Sequence, residues 1–498
     1  MKWIVIRACL IPASLLLAAQ APDTGKSPFW DNFAFERGTR DITLDAAQRM
    51  GVFNSLIKDP LDLDIDDAEA DIEIAKSNFD PVLTLNSNLA DSDQSAFDTE
   101  TRTKTGSATV SKLFATGTTV SVSQSYTETD TDSLIATSDG ESDSLDTTVA
   151  LNQPLLKNAG TLVNTLARET AKIDLDSAEL QKLATLTSNY RDVTTAYWNH
   201  WIAFRNLEIA IEQFDLANQQ KELAEKLLGA GLVAAVEVLR AEAGIAQRID
   251  AILAAQDNLI ITNNALFQLI SDEEGAGDLV LLNPVTEPSA EEPTLSISDV
   301  SDAAIESSLA LKILQNEVDV AALTVRAADW QTLPELDLNL SYTKSKVDKD
   351  ASLIAVDDSE DWAVGVTLTY PLFERNSHAQ LRQARNSNHL ARKNVAIQRQ
   401  GLRKTSENLV SNLFQNYRRL LAARREVDVT RRIYEAELKQ FDRGARTSTD
   451  VLDVATQLSL ALTKQSQAYA QYEISRTEIA LLMGQVGDRV RRLLKGQE

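Results

Sequence analysis

The chain has 498 residues, of which 24% are charged and 43% hydrophobic, ordinary proportions for a folded protein. Its 73 acidic residues against 49 basic ones leave a net charge of -24, which argues against a nucleic-acid partner, since phosphate binding needs a surplus of Lys and Arg. The only cysteine is Cys9, inside the leader described next, so the mature chain is expected to offer no disulfide, no catalytic or metal-binding thiolate and no lipidation cysteine.

Residues 1–21 read as a secretory signal peptide. Lys2 and Arg7 form a charged start, Ala8 through Ala19 an apolar run, and Ala19-Gln20-Ala21 a small-residue end. Pro22 is a poor residue to follow a cut, which places cleavage at Ala21 or a residue or two earlier. After residue 21 no run reaches the roughly 18 apolar residues of a membrane helix, so any spanning is expected from β-strands closed into a barrel.

Residues 22–80 form an N-terminal segment ahead of the strands. At Phe79-Asp80-Pro81 the pattern changes, and 81–153 read as barrel strands. Leu83, Leu85 and Leu89 make one strand face, Val120, Val122 and Tyr126 another, and Leu145, Val149 and Leu151 a third, with a weaker candidate at 103–114. Polar loops are expected at 91–102 and 129–144, and a tight turn at Ala115-Thr116-Gly117. Alternation alone leaves open whether the 103–127 hairpin joins a barrel or folds over its outside.

Residues 154–270 read as a long helical hairpin. No proline falls between Thr161 and Leu228, enough chain for a rod of roughly 100 Å. Leu183, Leu186, Tyr190, Val193, Tyr197, Trp201, Phe204, Ile211 and Phe214 recur at steps of three, four or seven, the stripe of a coiled coil. A turn at Gly229-Ala230-Gly231 leads to a return helix from about Val236 to Ile270. Residues 271–332 hold a linker rich in Pro, Gly and Glu, then a further helix.

The second half repeats the order. Residues 333–372 are strands, with Leu336, Leu338, Leu340 and Tyr342 on one face and Trp362, Val364, Val366, Leu368 and Tyr370 on another. Residues 373–485 are a second helical hairpin, in which Leu413, Leu420, Val427, Tyr434 and Phe441 fall at sevens, a period that implies left-handed supercoiling. Its turn lies around Gly444, its return helix runs from about Thr449 to Met483, and 486–498 form a tail. The expected class is an α+β membrane protein of two internal repeats. Six strands per chain cannot close a conducting barrel alone, since eight already fill with side chains, so a cyclic oligomer is expected.

Two short stretches carry a resemblance to a known family. Gly444-Ala445-Arg446-Thr447-Ser448-Thr449-Asp450-Val451-Leu452-Asp453 is similar to the turn between the last two long helices of the TolC family of outer-membrane efflux proteins. Gly231-Leu232-Val233-Ala234-Ala235-Val236-Glu237-Val238 is similar to that family's equivalent turn in the first repeat. The resemblance covers nearly the whole mature chain. It implies a homotrimer whose long helices form a periplasmic tunnel, continuous with one shared β-barrel in outer-membrane lipid. An inner-membrane pump would dock through a periplasmic adaptor (membrane fusion) protein. Members of the family carry four strands per chain, so the 103–127 hairpin decides between twelve and eighteen strands in all.

The same resemblance implies a site. Asp450 and Asp453 match aspartates that ring the closed periplasmic tip, where crowded carboxylates would attract cations. Carboxylates in a first helical turn also serve as caps and complement the helix dipole. Arg446 matches a residue that holds the tip shut by linking to an acid of the neighbouring turn, and Glu237 stands at that acid's position, so a Glu237 to Arg446 latch is expected. A tyrosine of that network is Phe441 here, leaving Arg240, Asp442 and Arg443 as candidates to take its place.

Two charge runs stand apart from this pattern. Residues 59–80 hold nine acids with Lys76 as the only base, and Arg375 to Lys404 hold eight bases and no acid. They either neutralise each other near the junction of barrel and tunnel or form a basic collar favouring anionic cargo. Catalysis is disfavoured: His200, His378 and His389 show no metal spacing and there is no phosphate-binding glycine motif, so no cofactor is expected. Metal efflux is the weaker reading, because only Met1, Met50 and Met483 occur and no Met or His cluster lines a predicted tunnel face. The expectation is a tripartite small-molecule efflux channel, with type I protein secretion and a periplasmic structural coiled coil as the alternatives.

Overall fold

A computed structural model of the chain describes residues 39–53, 56–94, 99–133, 140–271, 280–349, 358–443 and 445–495. The expected leader and Gly444 lie outside them. In chain order the elements are β1 (Thr39–Ile42), α1 (Leu44–Phe53), α2 (Lys58–Ser77), β2 (Val82–Gln94), β3 (Thr99–Leu113), β4 (Thr119–Ser133) and β5 (Gly140–Pro154). Then come α3 (Thr161–Asn164), α4 (Leu166–Gly229), α5 (Ala235–Ile270), β6 (Leu281–Pro284), α6 (Ile297–Ser307) and α7 (Leu309–Trp330). The last are β7 (Glu335–Lys349), β8 (Ser359–Thr369), α8 (Arg375–Asp442), α9 (Ser448–Leu482) and α10 (Gln485–Leu494).

Alternation of apolar and hydroxyl residues, clear in most strands and faint in the third, gives six strands with two unlike faces. They form one antiparallel sheet in the order β2-β3-β4-β5-β7-β8. Register aligns the apolar residues across it: Leu83 opposes Val110, Val110 opposes Val122, Val122 opposes Val149, and Val149 opposes Tyr342. Tyr342 in turn opposes Trp362, and Leu340 opposes Val364. On the other face Thr109, Ser123, Thr148 and Thr343 make a hydroxyl row, closed by a 3.0 Å bond between the Thr148 and Thr343 hydroxyls.

This register settles the 103–127 hairpin. It is the β3–β4 pair inside the sheet, not a flap over its outside, and Val110, Val122 and Tyr126 continue the apolar band. The loops expected at 91–102 and 129–144 are largely strand. β2 reaches Gln94 and β3 starts at Thr99, while β4 reaches Ser133 and β5 starts at Gly140. Threonine is β-branched and favours strands without being apolar, so pairing continues beyond the apolar band. Ion pairs lie along the paired strands there, with Arg102 Nη2 donating to Asp91 Oδ2 at 3.4 Å across β2 and β3, and Lys104 Nζ to Glu128 Oε1 at 2.5 Å across β3 and β4.

Below the sheet the heptads become rods. α8 runs 68 residues unbroken, about 100 Å at 1.5 Å per residue. Its Leu413, Leu420, Val427, Tyr434 and Phe441 are all buried, and burying each such side chain contributes roughly 1.5–3 kcal/mol. The expected rod from Thr161 is interrupted once, at Thr165, between α3 and α4. α4 packs on α5 and α9, and α8 packs on α9 and α7. No helix among the described residues is long and apolar enough to cross a membrane.

A belt crosses the middle of α4. The segment expected as a plain linker contains β6, which pairs in parallel with β1. Buried side chains of α4 fasten it: His200 Nε2 lies 2.7 Å from the Leu282 carbonyl oxygen, and the Tyr197 hydroxyl accepts the Thr286 N–H at 3.0 Å. Burial pushes the His200 imidazole below its ordinary range, so it stays neutral.

The β3–β4 turn needs Gly117, whose φ is +89° and where a Cβ would lie 2.5 Å from the Asn158 carbonyl oxygen. Gly117→Ala is expected to lower the thermal unfolding midpoint of the sheet, followed by circular dichroism. Gly106→Ala in β3, where a Cβ meets nothing within 4 Å, is expected to leave it unchanged.

Candidate functional site at the helix turns

Both helical hairpins turn at the end farthest from the sheet. α4 closes with the Leu232 N–H donating to the Leu227 carbonyl at 2.9 Å, a bond that needs Gly231 at φ +71°. α8 closes at Asp442, and residues 445–447 lead into α9. Phe441 is fully buried and packs with Val451, Leu458 and Leu227, so it is core and not part of a polar network.

Thr447 starts α9 as a reciprocal cap. Its hydroxyl oxygen accepts the Asp450 N–H at 3.3 Å, while Asp450 Oδ2 accepts the Thr447 N–H at 2.9 Å. Asp450 Oδ2 also accepts the Thr447 hydroxyl at 2.9 Å. These bonds, from the Thr447 N–H first and its hydroxyl second, hold the Asp450 carboxyl below the usual carboxylate range, helped by the charge of Arg446. Asp453, one turn on, is exposed and has no ion pair among the described residues.

Glu237 lies in the first turn of α5 with its side chain only 12% exposed. Oε1 accepts from Arg240 Nη1 at 2.9 Å, and Oε2 accepts the Ser448 N–H at 3.0 Å. Arg446 instead turns back on α8, with Nε 3.0 Å from Glu437 Oε2 and 3.2 Å from Gln440 Oε1. Within one chain the expected Glu237 to Arg446 latch does not form: each residue has another partner. The first N–H groups of a helix lack partners inside it and carry partial positive charge, so the start of α9 claims Glu237. The end of α8 brings Glu437 and Gln440 within reach of Arg446.

Of the proposed substitutes, Arg240 joins Glu237, whereas Asp442 and Arg443 are exposed and make no ion pair among the described residues. Ser448, Gln220, Glu437 and Gln440 were not expected at the site. Gln220 Nε2 donates to the Ser448 carbonyl at 2.8 Å and to its hydroxyl at 2.9 Å, so one buried serine ties α4, α5 and α9 together. A buried Ser among charged turn residues leaves no periodic mark in sequence.

The geometry defines a class. A sheet with one lipid-compatible face, continuous with helical hairpins whose longer arms α4 and α8 run about 100 Å, has the form of a protein that spans an outer membrane and reaches far below it. A profile of the family described as outer membrane efflux protein matches residues 61–271 and 300–485, and the chain belongs to that family. It is 24% identical over 355 residues to the outer membrane protein TolC of Vibrio cholerae, covering 70% of this chain and 78% of that protein. Its fold is similar to the outer-membrane channel OprN (TM-score 0.66, 15% identity, 89% of each chain). It is also similar to the outer membrane protein VceC of Vibrio cholerae (TM-score 0.62, 16% identity, 89% of this chain and 96% of that one). The protein is an outer-membrane efflux channel by family.

Two outcomes follow at the turns. Asp450 titrates below its unfolded value, so its cap is complete above the ordinary carboxylate range near pH 4 and is lost as pH falls through the depressed value. Amide exchange in the first turn of α9 is expected to quicken over that fall in wild type and to be fast throughout in Asp450→Asn. Glu237→Ala is expected to speed exchange of the Ser448 amide at neutral pH, with little change at the cap of α9.

Proposed function

We propose that three copies of the chain form the outer-membrane channel of a tripartite efflux system, taking small molecules from an inner-membrane pump through a periplasmic adaptor. The observation that carries the reading is the apolar band shared by all six strands, backed by a hydroxyl-rich opposite face. A face of Leu, Val, Tyr and Trp suits lipid, and a face of Thr, Ser and Asn suits a wet lumen. The open edges at β2 and β8 call for further copies, because unpaired backbone groups are costly in hydrocarbon. The resemblance to the TolC family supports a homotrimer and the two partners.

The gate is divided between the two aspartates. Asp450 is committed to the cap of α9, so its carboxylate fixes the shape of the turn. Asp453 is free toward solvent, and three copies around a narrow axis would concentrate negative charge where cargo enters. Arg446 with Glu437 and Glu237 with Arg240 and Ser448 steady the turns inside each chain. Opening of the tip then moves whole hairpins and leaves these pairs intact.

Purified protein in a planar lipid bilayer is expected to give discrete, cation-preferring conductance steps. Asp453→Ala is expected to lower the cation preference with little change in step size, and Asp450→Ala to make the steps irregular by loosening the turn. A folded, oligomeric protein that gives no steps would overturn the channel reading.

A further inference from the structure

The apolar face of the sheet changes character at one level, and register makes that level measurable. The hydrogen-bonded row that starts at Val82 passes through Ser111, Ser121, Ala150 and Ser341 to Ala363. Val82 opens β2, whereas Ala363 stands six residues before Thr369, the last of β8. Six residues rise about 20 Å along a strand, and five strand spacings of about 4.8 Å cover about 24 Å, a slope of roughly 40°. Strands in a membrane barrel tilt by this amount. The helix-side ends of the six strands therefore lie on one level, and residues counted from those ends measure height above it.

Seven residues up, the apolar face still holds Leu89, Tyr126, Tyr342 and Trp362. Nine residues up, it holds Asp91, Lys104, Glu128, Lys344 and Glu360. Charge thus begins on five of the six strands together, about 21 Å above the strand ends along the barrel axis. Exposed Phe114, Leu155 and Tyr370 carry the apolar band just past those ends on the helix side. With the helices on the periplasmic side, the charged level faces the headgroups of the outer leaflet.

One patch of that level differs from the rest. On β7 and β8, Tyr342 opposes Trp362, and the two are 42% and 76% exposed. Above Tyr342 on the same face follow Lys344 and Lys346. Lys344 Nζ gives one hydrogen bond to Glu360 Oε1 at 2.9 Å, which leaves two of its three N–H groups. Lys346 is exposed, opposes Leu145 and makes no ion pair among the described residues. The cations of β3 are placed differently: Arg102 and Lys104 stand above Gly106 and pair with Asp91 and Glu128. Tyr126 of β4 has Glu128 and Asp130 above it. Among the described strands only β7 sets two successive cations over an aromatic pair.

We propose that this patch binds the headgroup of a phosphate-bearing glycolipid in the outer leaflet. The order of its layers is the order of such a lipid. Leu338, Leu340, Val364 and Val366 line the height of the acyl chains. Trp362 offers an open ring at the interface, where the C–H face of a sugar can lie against it. Lys344 and Lys346, two residues apart on one strand, stand about 7 Å apart, close enough for both ammonium groups to reach one phosphate. Charge-assisted bonds of this kind are the strong ones. A phospholipid without a sugar would leave the ring unused, and a free phosphate would lack the chains beside the strands. The proposal rests on the channel reading for the side of the sheet that meets lipid.

The test counts lipid kept by the full-length protein. It is reconstituted in phosphatidylcholine vesicles doped with a diphosphorylated glucosamine glycolipid, with the dephosphorylated form, or with phosphatidylglycerol. The protein is then extracted in mild detergent and weighed by native mass spectrometry. Wild type is expected to retain the phosphorylated glycolipid about tenfold or more over either of the others, and K344Q/K346Q to lose that preference. Trp362→Leu is expected to lower glycolipid retention severalfold and leave phosphatidylglycerol unchanged. R102Q/K104Q is expected to behave as wild type, and excess inorganic phosphate to displace nothing. Retention unchanged in K344Q/K346Q, an equal loss in R102Q/K104Q, equal retention of phosphatidylglycerol by wild type, or displacement by inorganic phosphate would each overturn the site. Planar-bilayer conductance of every variant reports its fold. A wild type that conducts but fails these tests leaves the channel reading standing without the site, and a folded, oligomeric wild type that is silent overturns both.

Discussion

The backbone of a strand in hydrocarbon has no water to bond, and that constraint governs this protein. Inside the sheet every strand has two neighbours, but β2 and β8 each leave one row of N–H and C=O groups without a partner. Each such group costs several kcal/mol in lipid. Charged side chains or a covering loop protect edges in water, and neither remedy works at membrane depth. Only another strand does, and this is why the channel proposed above is built from several copies. The even strand number matters for the same reason, because it lets one edge accept the other in antiparallel register.

The helical half inherits its arrangement from the sheet. β5 leads to α4 and β8 to α8, while α2 and α7 lead into β2 and β7. Four strand ends therefore continue as helices, and the remaining two are joined by the tight turn at Gly117. The helices lie side by side as α2, α4, α7 and α8, the order of the strands they serve. Lower down, heptads hold α4 with α5 and α8 with α9. The hairpin ends are fixed by groups that helix termini lack on their own: Asp450 and Thr447 at the start of α9, with Glu237 reaching it from α5.

Much of this is legible in the sequence because it is periodic. Alternation marks Leu336 to Tyr342 and Trp362 to Tyr370, and sevens mark Leu413 to Phe441. β3 is faint, since its lipid-side face holds Gly106, Ala108 and Lys112 beside Val110, and only register against β2 and β4 assigns it. The β1–β6 pairing joins Thr39 to Leu281, far apart in the chain and only four residues long, so no local pattern announces it. At the site, residue identity pointed to the turns, but partner choice did not follow from it. Which acid Arg446 meets depends on where α8 stops, and a helix end is set by caps and packing that the period does not encode.

Widths give a physical reason for six strands where the resemblance to the TolC family implies four. Strands about 4.8 Å apart and tilted about 40° take up roughly 38 Å of circumference for six, and about 25 Å for four. Four helices side by side at 8–10 Å take up roughly 32–40 Å. Six strands therefore match the four helices beneath them, and neither layer has to flare or taper where they join. The β3–β4 hairpin supplies the two strands that make the match, at a point where α2 and α4 are in contact below it. Without it, β2 and β5 would become neighbours and draw α2 and α4 inward. On the reading proposed above, a barrel widened in this way keeps the sheet from being the narrowest part of the path and leaves Asp453, exposed in the first turns of α9, to act at the entry.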